Sequence, residues 1–187
     1  ESRLLSDCTY GLHRGLQNDL AQTNKTDNNP FRYPRQFVLM PGQEGRSQFF
    51  IPHDNESGYW WQGENARLAS IASAALWASK HFAGDAVFSA ELRHYAQGAL
   101  DWIFGLNPFD ACMMQGHGHN NPRYETGFWN APGGVCNGIT SGLDNEEDID
   151  FRMPADSVPI HSWRWSEQWI PHGAWLFHAL AHQIKSD

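Results

Sequence analysis

Glu167 is the residue of this sequence best suited to act as an acid. It lies in the run Ser166–Glu167–Gln168, next to a stretch with helical spacing, and tryptophans stand at positions 163, 165 and 169. Cleavage of a glycosidic bond needs a carboxyl group that stays protonated near neutral pH, and apolar neighbours favour that protonated form. The alternative is that Glu167 is a first-turn helix acid that interacts with the helix dipole. From the residues alone both interpretations stand.

Polar side chains in the long segment from Asn107 to Ser166 could bind a substrate. His117, His119, Arg123 and Glu125 carry the forked donors and acceptors that suit adjacent sugar hydroxyls, and Glu125 could pair with a substrate ammonium group. One alternative is an ion pair between Arg123 and Glu125 that holds the loop. Another is zinc at the two histidines, but a zinc site needs three or four ligands, so we expect no metal.

Aromatic residues are unusually abundant, with nine Trp, eleven Phe and five Tyr. Trp129, Trp163 and Trp165 lie in or next to loop sequence, as do Trp60 and Trp61. Flat rings with a polar handle often line clefts for hydroxylated ligands, so we predict that the first three contact substrate. The alternative is that these rings pack beneath the long loops.

Charge and composition exclude several classes of function. Lys and Arg number 13 against 21 Asp and Glu, a formal net charge of −8, which argues against a nucleic-acid partner. No apolar run approaches the roughly 20 residues that cross a bilayer, so we expect no membrane span. Three scattered cysteines favour free thiols and a cytoplasmic location. The acidic run from Asp144 to Asp150 could hold calcium, although such runs are commonly just solvated.

The elements that must position these residues are predicted to be helical. Periodicity and stop signals give four helices and no strand, with Asp85 as an N-cap and Pro171 in a first turn. The predicted bounds are Arg3 to Leu20, Glu64 to Phe82, the stretch after Asp85 to Phe104, and Glu167 or Ile170 to Ile184. Short turns alternate with long loops, which predicts an all-α toroid of helical hairpins whose long loops meet at the site.

Four features, in order, resemble the C-terminal part of the catalytic domain of glycoside hydrolase family 9. They are the run Ala99 to Pro108, the loop Gly116 to Arg123, Asn137–Gly138 before the acidic loop, and Trp165 to Gln168. The resemblance implies an (α/α)6 toroid, of which residues 1–187 supply roughly the last third as part of one catalytic domain. It also implies inverting hydrolysis of β-1,4-linked oligosaccharides, with Glu167 as the general acid and the loop histidines and arginine among the substrate-binding residues.

The segment Phe31 to Tyr59 most resembles the exo-acting bacterial branch, which removes glucosamine or glucose from short oligomers. Glucosamine (chitosan) oligomers are therefore the expected substrate, with an endo-β-1,4-glucanase or a cellodextrinase as the alternative. Two other classes stay open, a non-catalytic carbohydrate-binding segment and a sugar epimerase. In an epimerase His117 and His119 would be essential.

The sequence departs from the family pattern in three places. Ser166 stands where the family has Asn, the His-His-Arg triplet of the substrate loop is not intact, and the Asp-Ala-Gly-Asp motif of the catalytic base is missing. Ala83–Gly84–Asp85 resembles that motif but lies in a turn between helices. We therefore expect the base outside this chain, in the N-terminal part of the same domain, which would be its partner. We expect no cofactor.

Overall fold

A computed structural model of the chain describes residues 2–25, 29–38, 41–50, 63–124, 129–140 and 163–184. These residues are mostly helical, in keeping with the predicted all-α class. The helices are α1 (Ser2–Thr23), α2 (Asn65–His81), α3 (Ala86–Phe104), α4 (Trp163–Ser166) and α5 (Ile170–Gln183). No helix within the described ranges is both long enough and apolar enough to cross a bilayer.

Helix α2 forms the centre of the helical bundle, with α3 and α5 packed against it. The apolar stripe of α2 from Leu68 to Leu76 is buried, and it is built largely from alanines. Small side chains at the contact allow neighbouring helices to pack at interaxial distances of about 8–10 Å. The bounds predicted for α2 agree with the structure within one residue at each end.

Helix α3 begins and ends at the signals read from the sequence. The Asp85 carboxylate accepts a hydrogen bond from the Phe88 backbone N–H at 3.0 Å, which confirms the predicted N-cap. The helix stops at Gly105, whose φ of +120° is open to glycine but strained for other residues.

The predicted first helix needs correction at its end, and the structure decides between the two predicted starts of the last helix. Helix α1 continues to Thr23, three residues beyond the predicted end. Helix α5 begins at Ile170, with Pro171 in its first turn as predicted. Glu167 lies before α5, after the unpredicted helix α4, so the interpretation of Glu167 as a first-turn helix acid is wrong.

The expectation of no strand is also wrong. Strands β1 (Gln36–Val38) and β2 (Arg46–Gln48) form an antiparallel pair with Phe37 opposite Ser47. Three residues are too few to show an alternating pattern, so the sequence gives no strand signal here. Arg35 joins the pair to the core, because its guanidinium lies 4.0 Å from the centre of the Phe49 ring.

Candidate functional site

Three helix ends meet at one end of the bundle, where α2 and α5 begin and α3 finishes. Asn137 links the start of α2 to the segment just before α5. Its carbonyl accepts from the Asn65 N–H at 3.0 Å, and its N–H donates to the Glu167 carbonyl at 2.8 Å. The end of α3 joins through a 2.9 Å bond from the Met113 N–H to the Ile103 carbonyl. The described parts of the segment between α3 and α4 therefore meet the backbone of Glu167 at this end.

The segment from Trp163 to Glu167 is held by its main-chain carbonyls. Each of them accepts a hydrogen bond from outside the segment, so the backbone that carries Glu167 is fixed from several sides. The Trp163 carbonyl accepts from Asn137 Nδ2 (2.7 Å), the Arg164 carbonyl from the Gly63 N–H (2.8 Å) and the Trp165 carbonyl from the Gly138 N–H (2.8 Å). The Ser166 carbonyl accepts from Asn130 Nδ2, and the Glu167 carbonyl accepts from the Asn137 N–H (2.8 Å). We call this set of bonds the carbonyl clamp.

Gln168 extends the clamp beyond Glu167. Its side-chain amide accepts from the Ala131 N–H at 2.9 Å and donates to the Ala131 carbonyl at 3.0 Å. A Cβ at Gly134 would lie 2.5 Å from the Gln168 amide, so a larger residue there would displace this side chain. Glu167 itself is half-buried, and within the described ranges its carboxyl group makes no hydrogen bond. The clamp thus fixes the backbone and leaves the carboxyl group available to a ligand.

The loop after α3 is folded onto the end of that helix by two asparagines. The Asn107 amide donates to the Trp102 carbonyl at 2.8 Å and to the Ala111 carbonyl at 2.9 Å. The Asn121 amide donates to the carbonyls of Cys112 (2.8 Å), Met114 (2.9 Å) and His117 (2.7 Å). Such side-chain bonds to the backbone rigidify a loop that has no regular structure of its own.

The predicted polar residues lie on this loop and after it. His117, His119 and Arg123 are exposed to solvent. The structure brings Arg123 towards the candidate acid, because its carbonyl accepts a 3.1 Å hydrogen bond from the Ser166 hydroxyl, one residue before Glu167. Glu125 lies outside the described residues, as does the acidic run from Asp144 to Asp150.

The three predicted tryptophans have different environments. Trp129 is 81% exposed, and Trp163 is half-buried in α4. Trp165 is only 2% exposed, with its ring edge-to-face with Phe109 at a centroid distance of 4.8 Å. Trp165 therefore supports the clamped segment from inside the core, whereas Trp129 and Trp163 present ring surface on the outside.

Several residues of the site carry no chemical signal in the sequence. Asn65, Asn130 and Gln168 act through hydrogen bonds to backbone groups far away in sequence. The side-chain oxygens of Asn65 and Asn137 are buried, and neither has a hydrogen-bond partner among the described residues. Buried acceptors of this kind are commonly satisfied by ordered water. An asparagine next to glycine, as at Asn137, is the single local hint.

The described part of the chain has no cluster of metal-ligating side chains, and its two cysteines are buried. No group of three or more His, Cys, Asp or Glu side chains lies close enough there to hold a metal ion. Cys112 and Cys136 are buried free thiols. Burial, with a smaller contribution from the neighbouring Cys112, raises the pKa of Cys136 to about 12, so this thiol stays protonated and unreactive.

A comparison with models of known protein families gives no match, and neither does a comparison with curated proteins.

Proposed function

We propose that this chain is the C-terminal part of a glycoside hydrolase similar to family 9, which cleaves β-1,4-linked oligosaccharides by inversion. Glu167 is its general acid, and glucosamine oligomers cut from one end are its substrate, with an endo-glucanase or a cellodextrinase as the alternative. The carbonyl clamp is the observation that carries the proposal. It fixes the backbone around Glu167, and among the described residues the half-buried carboxyl group makes no hydrogen bond.

The proposed reaction assigns a task to each group. Glu167 donates its proton to the leaving oxygen while a second carboxylate, about 6.5–9.5 Å away, activates the attacking water. The N-terminal part of the same domain supplies this second carboxylate. Arg123 binds sugar hydroxyls and Glu125 binds a sugar hydroxyl or an ammonium group, with His117 and His119 as further substrate-binding residues. Trp129 and Trp163 offer ring surface to the sugar, and the chemistry needs no cofactor.

The outer face of α5 supports a larger toroid. Ile170 and Phe177 lie seven residues apart on this face and are 88% and 77% exposed. Ala174 lies between them and Ala181 follows one turn later, so the face is a continuous apolar seam. Helix α2 already covers the opposite face of α5. An inner helix of a toroid has helical neighbours on both sides, and the N-terminal part of the domain would provide the second. The free thiols of Cys112 and Cys136 favour a cytoplasmic location.

Replacing the acid in the complete protein tests this proposal. Glu167→Gln removes the ionisable proton and keeps the side-chain size, so we expect hydrolysis of unactivated chitosan and cellulose oligomers to fall by at least about 10³-fold. The melting temperature should not change, because the clamp uses the backbone of Glu167. The control is Glu91→Gln on the exposed side of α3. Turnover within a few fold of the parent enzyme contradicts the assignment, and NMR of the first-formed anomer tests inversion.

A carbohydrate-binding segment without chemistry is the second candidate, and the exposed ring of Trp129 favours it. In that case the parent protein binds oligosaccharide and its tryptophan fluorescence changes, but no sugar is released. Product analysis on the same samples separates the two functions.

A further inference from the structure

A separate cleft of about 640 Å³ opens at the far end of the bundle from Glu167. Its position follows from the residues that line it, because Lys80 lies in the last turn of α2 and His182 lies in the last turn of α5. Both helices begin at the Glu167 end and finish here. Arg93, from the first half of α3, closes the third side.

The charges in this cleft are of one sign. Lys80, Arg93 and His182 come from three different helices, and no acidic side chain is among the described residues that line the cleft. The protein as a whole has a net charge of −8, so the charge of this pocket is opposite in sign to that of the whole protein. Gln97, which lines the cleft, donates a 2.6 Å hydrogen bond to the Asp101 carboxylate. A pocket of this kind attracts anions.

The arginine is held in position by buried groups. Arg93 Nη1 donates to the Ser89 hydroxyl at 2.7 Å, and this hydroxyl donates to the Ser79 carbonyl at 2.7 Å. Ser79 and Ser89 are both buried, so the chain of bonds anchors the guanidinium between α2 and α3. The cleft is braced on its other side by a 3.3 Å bond from Gln183 to Gln97, which joins α5 to α3. A guanidinium fixed in this way keeps its remaining donors for an oxyanion.

The pKa of His182 depends on burial and on the positive charges near it. Burial lowers the pKa of His182, and the neighbouring His178 and Lys80 lower it further. An anion in the cleft opposes the effect of these positive neighbours, so binding should bring a proton onto His182. The apolar side chains of Leu76 and Ile184 also line the cleft and could contact an organic group.

We propose that this cleft binds a small organic phosphate monoester, with its phosphoryl oxygens among Lys80, Arg93 and His182 and its organic group against Leu76 and Ile184. Three donors from three helices suit the tetrahedral oxygens of a phosphoryl group. The site is independent of the proposed hydrolase activity, and the Glu167→Gln variant should bind the same ligand equally well.

Calorimetric titration of the full chain with phenyl phosphate, inorganic phosphate and phenol tests the proposal. We expect saturable binding of phenyl phosphate, weaker binding of inorganic phosphate and none of phenol. Lys80→Gln and Arg93→Gln should each weaken phenyl phosphate binding by about tenfold. Lys25→Gln, which removes the same charge from an exposed position two residues after α1, should leave binding unchanged.

The pH dependence provides a second readout. Because bound phosphate favours protonated His182, affinity should increase as the pH falls from about 8 to about 6.5, and His182→Gln should reduce this increase. The second ionisation of phosphate limits the useful range at low pH. Equal losses in Lys25→Gln and Lys80→Gln would show non-specific attraction and overturn the proposal. The absence of saturable binding would also overturn it, and would favour an acidic protein segment as the occupant.

Discussion

His172 should make the protein sensitive to mild acid. The side chain lies in the first turn of α5 and is 2% exposed, and neither ring nitrogen has a hydrogen-bond partner among the described residues. Burial lowers its pKa from 6.5 to about 4. The folded state therefore keeps the ring neutral in a range where the unfolded chain takes up a proton. The stability that this provides is complete above pH 6.5 and is lost as the pH falls towards 4.

The size of the effect follows from these two pKa values. Between pH 7 and pH 5 proton uptake by the unfolded chain should lower the free energy of unfolding by about 2 kcal/mol, with protonation of the folded state negligible above pH 5. For a protein of this size the corresponding fall in melting temperature is about 4–8 °C. His172→Leu should remove this contribution. It should also raise stability at pH 7 by about 1–3 kcal/mol, because it removes two buried polar atoms that lack partners.

Denaturant unfolding at pH 7 and pH 5 measures the effect as a difference between variants. Other groups with shifted pKa values, such as Asp19, contribute equally to both and cancel in the comparison. His94→Leu, the same substitution at an exposed position of α3, is the matched control and should retain the acid sensitivity of the parent. If His172→Leu and the parent lose the same free energy between the two pH values, His172 is protonated or hydrogen-bonded in the folded protein and the reasoning fails.

Two further predictions concern the backbone. Gly138→Ala should lower the free energy of unfolding by about 3 kcal/mol and weaken the proposed activity, because φ is +97° there and a Cβ would lie 2.5 Å from the Asn65 amide. Gly133→Ala, at a similar φ of +79° but with nothing within 4 Å, should cost only about 1 kcal/mol in the same denaturant titration; equal costs would exclude the contact with Asn65 as the cause. Asp85→Ala should cost about 1 kcal/mol through the lost N-cap, and Asp85→Asn much less; equal losses in both would point to charge instead.

Local signals in the sequence were enough to predict the central helices. Periodic apolar residues mark α2 and α3, and Asp85 and Gly105 mark the ends of α3. These signals work because a helix satisfies its own backbone and needs only one buried face and suitable ends. Helix α4 has four residues, which is too short for any period, and the break between α4 and α5 has no glycine to announce it.

The site was only partly predictable for a related physical reason. Glu167 could be chosen by its chemistry, but the bonds that hold it join residues distant in sequence, such as Asn137 to Trp163 and Gln168 to Ala131. These bonds run from side-chain amides to backbone carbonyls and leave no repeating pattern. Their partners are set by the path of the loops, which depends on how α2, α3 and α5 pack.

The break before α5 gives Glu167 a setting that a helical position would not. The field of a helix terminus favours a carboxylate within the first turn and weakens quickly beyond it. Glu167 lies three residues before Ile170, and its carbonyl bonds to Asn137 instead of continuing a helix. Glu167 therefore lies outside the first turn of α5, where this field is strongest. Hydrogen bonds to main-chain carbonyls fix the position of Glu167, and among the described residues its carboxyl group makes no hydrogen bond.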